Sequence, residues 1–247
     1  MHITVTGSSG FIGRHLVKKL EEDGHKITVW DRNIGKDILN FEPGTSDFVI
    51  HLAATADVRR SIREPELYWE QNVLNTKNIQ HLCHHLRIPL LYASSSCAKH
   101  WNLSPYGASK RINEVTAFPE QVGMRFTTVY GEGARDSMFM GKLKEGTLEY
   151  ATNHIRDFIH VDDVIQAIDL IMKKMIDPHT IPTPRLMPIY DVGTGIGNSV
   201  EQLAKSKFPD IEVREGEACE AIDNTANIDQ LLSLGWKQTV TVEDYLR

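Results

Sequence analysis

The sequence predicts an α/β fold in which a doubly wound parallel sheet carries a small C-terminal α/β lobe. Three observations predict it: a glycine-rich turn joins a short apolar strand to a helix, strands and helices then alternate, and the strands end in small or polar residues. Such alternation is typical of a parallel sheet with right-handed crossovers. Because ligands of these sheets lie at the carboxyl ends of the strands, we expect the functional site at that edge.

The composition is that of a soluble globular protein, with 41% apolar and 24% charged residues in a chain of 247. This length fits one large domain, or one domain with a small appendage. A net charge of −6 argues against a nucleic-acid partner, and we interpret Arg59, Arg60 and Arg63 as a solvated helix face. The three cysteines are scattered without metal-ligand spacing, which predicts reduced thiols and no metal site. With a strand from residue 2 and no long apolar run, we expect a cytoplasmic protein without a signal peptide or membrane contact.

The first element is a strand around Ile3 and Val5, followed by a turn with the sequence Gly7-Ser8-Ser9-Gly10-Phe11-Ile12-Gly13. From Phe11 the apolar spacing becomes helical. Unpaired N–H groups at this helix N-terminus, aided by the helix dipole, can hold a pyrophosphate. Gly7 permits the tight turn, Gly10 admits a phosphate, and Gly13 lets the helix pack on the strand. Because the glycines are one residue further apart than in most dinucleotide folds, the turn alone does not decide the ligand.

Three further strands are predicted at residues 26–30, 48–52 and 89–93, with a helix over 65–86 between the last two. Asp31 ends the first of them, about 20 residues after the glycine turn, where a carboxylate can accept hydrogen bonds from an adenosine ribose. This carboxylate favours NAD over NADP, although Arg32 lies beside it. Small residues follow the next strand (Ala53, Ala54), and Ser94-Ser95-Ser96 ends the last. We therefore expect these strand ends to converge around a bound cofactor.

Tyr106 and Lys110 stand four residues apart at the start of the next predicted helix, so they share one face. A phenol has a pKa near ~10, and lowering it by about three units requires about 4 kcal/mol. One ammonium at ~4 Å in an effective dielectric of ~20 supplies about that much. The spacing therefore predicts an acid/base pair in which Lys110 lowers the pKa of Tyr106.

The rest of the chain predicts a return to the sheet and then the small lobe. A strand is expected at residues 122–129, an extended segment at 156–161, a helix capped by Asp162, a proline-rich loop at 178–188 and a strand at 189–192. Short helices at 198–205 and 228–234 and a strand around Val213 complete it. We assign residues 1–130, with 156–176 and 189–193, to a cofactor-binding domain, and residues 131–155 and 194–247 to a substrate-binding lobe.

These motifs, in this order, resemble the extended short-chain dehydrogenases/reductases, specifically their NAD-dependent epimerase/dehydratase family, whose cofactor domain is a Rossmann fold. The resemblance covers nearly the whole chain. It is carried by residues 6–13, Asp31, Asp37-Ile38, His51-Leu52-Ala53-Ala54, Asn72-Val73, Ser94-Ser95-Ser96, Tyr106-Gly107-Ala108-Ser109-Lys110, residues 125–131 and Arg156-Asp157-Phe158.

The resemblance implies a role for individual residues. Ser96, Tyr106 and Lys110 would be catalytic: Ser96 binds the reacting hydroxyl of the sugar, Tyr106 is the base, and Lys110 is its partner. NAD would be held by Gly7, Ser9, Gly10, Phe11, Ile12, Gly13, Asp31, Arg32, Asp37, Ile38, Leu52, Ala53, Ala54, Asn72, Ser94, Tyr106, Lys110, Phe126 and Val129. The substrate, a nucleotide-diphosphate sugar with UDP favoured, would be held by Ser96, Thr128, Arg135, Arg156 and Arg214. Bidentate guanidinium contacts suit its pyrophosphate.

The residues after Ser96 bear on the reaction. Dehydratases and decarboxylases of the family usually place an acid there, whereas this chain has Cys97-Ala98-Lys99. A 4-epimerase needs only oxidation at C4, rotation of the 4-keto sugar and reduction on the other face. Val58-Arg59, Ser61, residues 128–131, Arg135 and Met138 also resemble the UDP-glucuronate 4-epimerases. The sequence therefore favours a UDP-hexose or UDP-hexuronate 4-epimerase.

Other activities remain open at this point: a nucleotide-sugar dehydratase, a 4-ketoreductase, or an inactive NAD-binding sensor. The resemblance also implies a homodimer built on the helix after Tyr106. Only nine residues separate Ser96 from Tyr106 and fourteen separate Lys110 from Arg125, fewer than is usual in the family. That helix is therefore expected to be short, which weakens the expectation of a dimer.

Overall fold

The architecture is taken from a computed structural model, which describes residues 1–177 and 188–247. The proline-rich loop predicted at 178–188 lies outside the described residues, except for Pro188. Eleven strands are present in the described ranges: β1 His2–Thr6, β2 Lys26–Trp30, β3 Phe48–His51, β4 Leu90–Ser95, β5 Val122–Phe126, β6 Thr128–Tyr130, β7 Ala151–Thr152, β8 Ile155–His160, β9 Ile189–Val192, β10 Gly197–Ser199 and β11 Val213–Arg214.

The α-helices within the same ranges are α1 Phe11–Glu22, α2 Val58–Arg63, α3 Pro65–Tyr68, α4 Asn75–Leu86, α5 Pro105–Thr116, α6 Phe139–Glu145, α7 Val161–Ile176, α8 Val200–Lys207, α9 Asp229–Ser233 and α10 Val242–Leu246. A π-helical turn, Trp69–Leu74, joins α3 to α4. The helix predicted over 65–86 is therefore present, but a widened turn interrupts it. No helix among the described residues is both long and apolar enough to cross a membrane.

Six strands form the main sheet in the order β2-β1-β3-β4-β5-β9. All five pairings are parallel, which confirms the predicted doubly wound sheet. The strand order reverses between β1 and β3, because the chain runs outward to β2 on one side and through β3, β4 and β5 on the other. Such a switch point opens a crevice at the carboxyl ends of the strands.

Helices cover the sheet on both faces, as a parallel sheet requires. On one face, α1 packs beside α7 over a core that includes Ile3, Val5 and Ile168, each fully buried. On the other face, Ile79 of α4 and Leu90 and Tyr92 of β4 form a second core. β1, β3 and β4 are buried on both faces: β3 and β4 begin as continuous apolar runs, whereas β1 buries Thr4 and Thr6 beside its apolar residues.

A smaller lobe has its own core, formed by side chains that include Tyr130, Met140, Phe158 and Val200. Its sheets are β10-β8-β6 and β11-β7. The single strand predicted at 122–129 is wrong, because the backbone N–H of Thr127 binds the Val192 carbonyl at 3.0 Å and the chain then leaves the main sheet. The segment after Phe126 therefore pairs with β8 in the small lobe instead.

Several predicted boundaries also need correction. Helix α7 is capped not by Asp162 but by His160, whose ring nitrogen accepts the Asp162 N–H. The carboxylates of Asp162 and Asp163 lie in the first turn, where they interact favourably with the positive end of the helix dipole. The helix predicted at 198–205 begins later, at Val200, because Asn198 pairs with Arg156 of β8. The helix predicted at 228–234 is the shorter Asp229–Ser233.

Two fully buried carboxylates attach the C-terminal segment to the rest of the fold. Asp157 accepts hydrogen bonds from the backbone and hydroxyl of Thr194 at 2.8 and 2.7 Å, and from the N–H groups of Gly195 and Ala226 at 2.9 and 3.1 Å. Asp163 accepts the N–H groups of Thr239 and Val240 in the same way. A buried carboxylate is stable only when its oxygens are satisfied, so these contacts fix the path of residues 194–240 over the sheet edge.

Candidate active site

One cavity of about 910 Å³ runs from the glycine turn, across the carboxyl ends of β1, β3, β4 and β5, to the small lobe. This volume falls in the range of small-molecule and cofactor sites. Most of the predicted site residues line it: Gly7, Gly10, Phe11, Ile12, Gly13, Leu52, Ala54, Ser94, Ser96, Tyr106, Lys110, Phe126, Thr128, Val129, Arg135 and Arg156. The residues predicted for cofactor, reaction and substrate therefore share one continuous space.

The glycine turn allows three backbone segments to meet at the mouth of this cavity. Gly7 has a φ of +68°, and a Cβ there would lie 2.6 Å from the Ala53 nitrogen, at the switch point between β1 and β3. A Cβ on Gly13 would lie 2.1 Å from the Gly7 carbonyl oxygen. Only glycine fits at these two positions, and the N-terminus of α1 is thereby brought to the cavity. The turn thus has the shape of a pyrophosphate site at a helix N-terminus, which is the part of NAD expected there.

The other residues predicted for the cofactor lie outside the cavity lining. The Asp31 carboxylate accepts the N–H groups of Ser9 and Asn33 at 3.0 and 2.9 Å, so it supports the glycine turn from the end of β2. Asp37 caps a short 3₁₀ turn through the Leu39 N–H, and Ile38 packs in the core around Phe41. Arg32 and Ala53 are also absent from the lining.

Asn72 lies behind the cavity wall and is fully buried. Its amide accepts the Thr55 N–H at 2.8 Å and donates to the Thr55 carbonyl at 3.0 Å and the Ser109 hydroxyl at 3.2 Å. Since these contacts use the side chain fully, Asn72 holds the segment after β3 in place. Asn72 lies within the π-helical turn Trp69–Leu74.

Helix α5 positions the predicted acid/base pair. Ser104 caps it by accepting the Gly107 N–H at 3.1 Å, and Pro105 occupies the first helical position, where its missing N–H is harmless. Tyr106 and Lys110 then fall on the face that lines the cavity. The ring of Tyr106 makes an edge contact with Tyr68, at a centroid separation of 6.1 Å.

The predicted lowering of the Tyr106 pKa by Lys110 is wrong for the folded chain. Burial raises the pKa of Tyr106 above its usual value, the neighbouring Cys97 adds to the rise, and the hydrogen bond with Ser95 opposes it. Lys110 is itself buried, and its ammonium donates to the Ala93 carbonyl at 2.9 Å. Burial lowers the pKa of Lys110 to about 8, against an opposing effect of Glu114. The prediction counted the attraction between the two groups but omitted the cost of desolvating each of them.

The three serines at the end of β4 point to three different partners. Ser94 donates to the buried Glu114 carboxylate at 2.6 Å, and Glu114 is also held by Arg125 at 2.7 Å. Ser95 accepts the Cys97 N–H at 3.2 Å, and its hydroxyl is near enough to the Tyr106 phenol to oppose the rise of the Tyr106 pKa. Ser96, which was predicted to be catalytic, lies 3.5 Å from the Asn224 amide nitrogen. The hydroxyl beside Tyr106 is therefore that of Ser95, which the sequence analysis did not single out.

At the other end of the cavity, one carboxylate is held between two guanidinium groups. Glu220 accepts Arg59 Nε at 2.7 Å through one oxygen and Arg156 Nη2 at 3.0 Å through the other. Burial acts to raise the pKa of Glu220, but the two arginines bring it below its usual value. All three side chains line the cavity, so Arg59, although its side chain is 45% exposed as expected for a solvated helix face, also belongs to this site.

The predicted substrate arginines differ in their surroundings. Arg156 is mostly buried and also donates to the Ala221 carbonyl at 2.8 Å, whereas Arg135 lines the cavity and reaches the Ala56 carbonyl at 3.2 Å. Arg214 is not in the lining: it is half-exposed, pairs with Glu212 at 2.6 Å and stacks on Tyr150. The structure therefore places Arg59, and not Arg214, beside Arg156 in the cavity lining.

Asn224 lies between the two ends of the cavity and was also missed. Its amide nitrogen is 3.1 Å from the Thr128 hydroxyl, and its oxygen accepts the Asp157 N–H at 2.8 Å. Of the missed residues, Arg59 carried a sequence signal as part of the subgroup resemblance, and Ser95 carried one as part of the Ser94-Ser95-Ser96 motif. Glu220 and Asn224 belong to a loop without periodicity or motif, so only the tertiary contacts reveal them.

Comparison with known proteins agrees with this geometry. A model of the NAD dependent epimerase/dehydratase family matches residues 3–182. Protein CapI of Staphylococcus aureus is 28% identical, over 99% of this chain and 96% of that protein. UDP-glucose 4-epimerase of Pisum sativum is 25% identical, over 99% of this chain and 93% of its own length.

Among solved structures, MoeE5 in complex with UDP-glucuronic acid and NAD is similar to this chain, with 27% identity and a TM-score of 0.82 over 100% of this chain and 96% of that one. Its complex with UDP-glucose and NAD has a TM-score of 0.84 at the same identity. The family match covers well over half of the sequence and includes the glycine turn and the Tyr106–Lys110 pair. The chain therefore belongs to the NAD-dependent epimerase/dehydratase family, which confirms both the resemblance drawn from its motifs and the expectation of NAD as cofactor.

Proposed function

We propose that the protein is an NAD-dependent nucleotide-sugar 4-epimerase acting on a UDP-hexose or UDP-hexuronate. The observation that carries this proposal is the set of groups at the reacting end of the cavity. Tyr106, Ser95, Ser96 and Lys110 meet there, and the position after Ser96 is a thiol, Cys97, whose pKa is raised by burial. Elimination of water from the sugar needs a further acid or base at this place, whereas epimerisation at C4 does not.

Each residue at this end has a task in such a reaction. Bound NAD supplies the electron acceptor and donor for C4. Tyr106 takes the proton of the C4 hydroxyl and later returns it, and the Ser95 hydroxyl stabilises the phenolate by hydrogen bonding. Lys110 donates to the Ala93 carbonyl and, when it is protonated, places a positive charge at the reacting end of the cavity. The 4-keto sugar must then turn over within the cavity before it is reduced on the other face.

The substrate class is supported by the opposite end of the cavity. Two guanidinium groups there, Arg59 and Arg156, suit a diphosphate, which accepts paired N–H donors well. Arg135 and Thr128 line the part of the cavity between the arginines and the reacting end, where they would bind a hexuronate carboxylate. The solved complexes of MoeE5 with UDP-glucuronic acid and with UDP-glucose support both sugars as candidates. We assign residues 131–155 and 194–247 to substrate binding and the main sheet to NAD.

The proposal is tested by incubating the protein and NAD separately with UDP-glucuronate and UDP-glucose and separating the products by chromatography. We expect the C4 epimer of at least one sugar, with no net formation of reduced nicotinamide, because an epimerase regenerates its cofactor. A 4,6-elimination product would indicate a dehydratase, and net oxidation or reduction would indicate a reductase. Absence of C4 inversion with both sugars would reject this substrate assignment.

Replacing Arg59 by Ala is expected to weaken UDP binding by about ten- to hundredfold, the usual cost of a lost charge-assisted contact. The measurement is calorimetric titration of UDP into the NAD-saturated protein. Arg60→Ala is a matched control, since Arg60 lies on the same helix but pairs with the exposed Glu64 at 2.7 Å, outside the cavity. Equal affinities of the two variants would show that Arg59 does not contact the diphosphate.

A further inference from the structure

The loop that carries Asn224 enters the cavity from the C-terminal segment and meets the end of β4. Asn224 lines the cavity beside Ser96 and Thr128, although 128 and 96 positions separate it from them in the chain. Its backbone neighbourhood is fixed, because Ala226 is bonded to the buried Asp157 carboxylate at 3.1 Å. The side chain is therefore held in one place.

The orientation of the Asn224 amide follows from its anchor. The Asp157 backbone N–H is a donor only and lies 2.8 Å from one end of the amide, so that end must be the oxygen. The nitrogen therefore faces the two hydroxyls, at 3.1 Å from Thr128 and 3.5 Å from Ser96. Its two protons match these two oxygens, of which the Thr128 contact is the closer.

This orientation determines what the two hydroxyls can do. Each oxygen accepts from Asn224, so the proton of each hydroxyl must be directed to another acceptor. Both hydroxyls border the cavity, and a sugar oxygen bound there would receive those protons. The oxygen of a 4-keto sugar accepts hydrogen bonds and has no proton to donate. A serine committed to donation is therefore matched to the ketone.

We propose that Asn224 is a positioning residue that commits Ser96 and Thr128 to donate hydrogen bonds to the substrate. This inference deepens the proposed function and rests on it. In the reaction, Asn224 acts through these two hydroxyls. These hydrogen bonds stabilise the transition state more than the bound substrate, so their loss should change kcat more than KM.

The test compares Asn224→Asp with Asn224→Ala. Aspartate has nearly the same shape and keeps an acceptor for the Asp157 N–H, but it reverses the hydrogen bonds, because a carboxylate takes protons from both hydroxyls. We expect Asn224→Ala to lower kcat by about tenfold, the usual size of one or two lost hydrogen bonds. Asn224→Asp should be at least about tenfold slower than the alanine variant at pH 8, because charged groups form the stronger hydrogen bonds. KM should change little in both.

The pH profile separates positioning from a merely structural role. As the pH falls to ~3.9, the ordinary pKa of an aspartate, the introduced carboxyl becomes protonated and can again donate one proton, so its kcat should recover relative to wild type at the same pH. Asn227→Asp is the matched control: Asn227 is exposed in the same loop, and its side-chain oxygen accepts the Asp229 N–H at 3.0 Å, a contact that aspartate keeps. UDP affinity should match wild type in all variants, and the melting temperature should match it in Asn224→Asp and Asn227→Asp. Asn224→Ala leaves the buried Asp157 N–H without its acceptor, so its melting temperature should fall.

The outcomes are distinct. If the wild-type protein inverts neither UDP-sugar, the proposed function fails before any variant is compared. If wild type is active but Asn224→Asp is as fast as Asn227→Asp, or no slower than Asn224→Ala, the role of Asn224 is overturned. In Asn224→Asp, which keeps the acceptor for the Asp157 N–H, a loss that appears as raised KM or lowered melting temperature, without recovery at low pH, would likewise overturn it in favour of a structural role.

Discussion

Tyr106→Phe is expected to lower kcat by about a thousandfold, within the range for removal of a general acid/base. The substitution removes one oxygen and keeps the ring, so the edge contact with Tyr68, at a centroid separation of 6.1 Å, is retained. The lost group is the only phenol that lines the reacting end of the cavity among the described residues. The measurement is the initial rate of C4 inversion with the UDP-sugar that wild type accepts.

The same variant should bind NAD as wild type does, since the glycine turn lies on another element. NAD affinity and melting temperature are the controls that show an intact protein. Tyr68→Phe is a matched variant: the Tyr68 hydroxyl donates to the Asp57 carbonyl at 2.7 Å, outside the reacting end. Wild-type turnover in Tyr106→Phe would refute the role of the phenol.

Lys110→Met is expected to abolish most turnover, by about a thousandfold, while making the protein without nucleotide more stable at neutral pH. Burial lowers the pKa of Lys110 to about 8, so the folded state must bury an ammonium that the unfolded chain keeps in water. Holding the charge at pH 7 costs about 3 kcal/mol at ~1.4 kcal/mol per pKa unit. Loss of the hydrogen bond to the Ala93 carbonyl destabilises the variant by about 1 kcal/mol, which offsets part of this gain. The net gain is about 2 kcal/mol, or several degrees in melting temperature.

The pH dependence gives the sign of this effect. Between the folded pKa of about 8 and the unfolded value near ~10.4, the unfolded chain binds more protons, so wild-type stability rises with pH. The advantage of Lys110→Met is therefore largest below pH 8 and shrinks through this window. Chemical unfolding of both proteins at neutral and alkaline pH measures it. A variant less stable than wild type at pH 7 would contradict the account.

The parts that sequence predicted well depend on local patterns. The glycine turn is one, because two of its residues tolerate no Cβ, a constraint visible in the residue types themselves. The Tyr106–Lys110 pair is another, since helical spacing alone puts both on one face. The alternation of strands and helices gave the parallel sheet and hence the edge at which these residues meet.

The parts that sequence missed depend on contacts between distant segments. Glu220 is bonded to Arg59 across 161 positions of the chain, and Asn224 to Thr128 across 96. The last residues of the strand predicted at 122–129 belong to the small lobe because they pair with β8. Their own sequence does not indicate this partner. The pKa of Tyr106 is raised because the side chain is buried, and an argument from residue spacing does not include burial.

The loop from Glu220 to Asn224 has a consequence for selectivity. Its first residue is held by two cavity arginines, its last orders the hydroxyls at the reacting carbon, and Arg156 fixes the Ala221 carbonyl between them at 2.8 Å. In the proposed reaction, a group that engages the arginines therefore acts on the same short stretch of backbone that would set the geometry at C4. A free monosaccharide would occupy only the reacting end of the cavity and would leave the two arginines at the other end without a diphosphate. The enzyme would then distinguish an activated sugar from the abundant free sugars around it by catalytic rate, as well as by affinity.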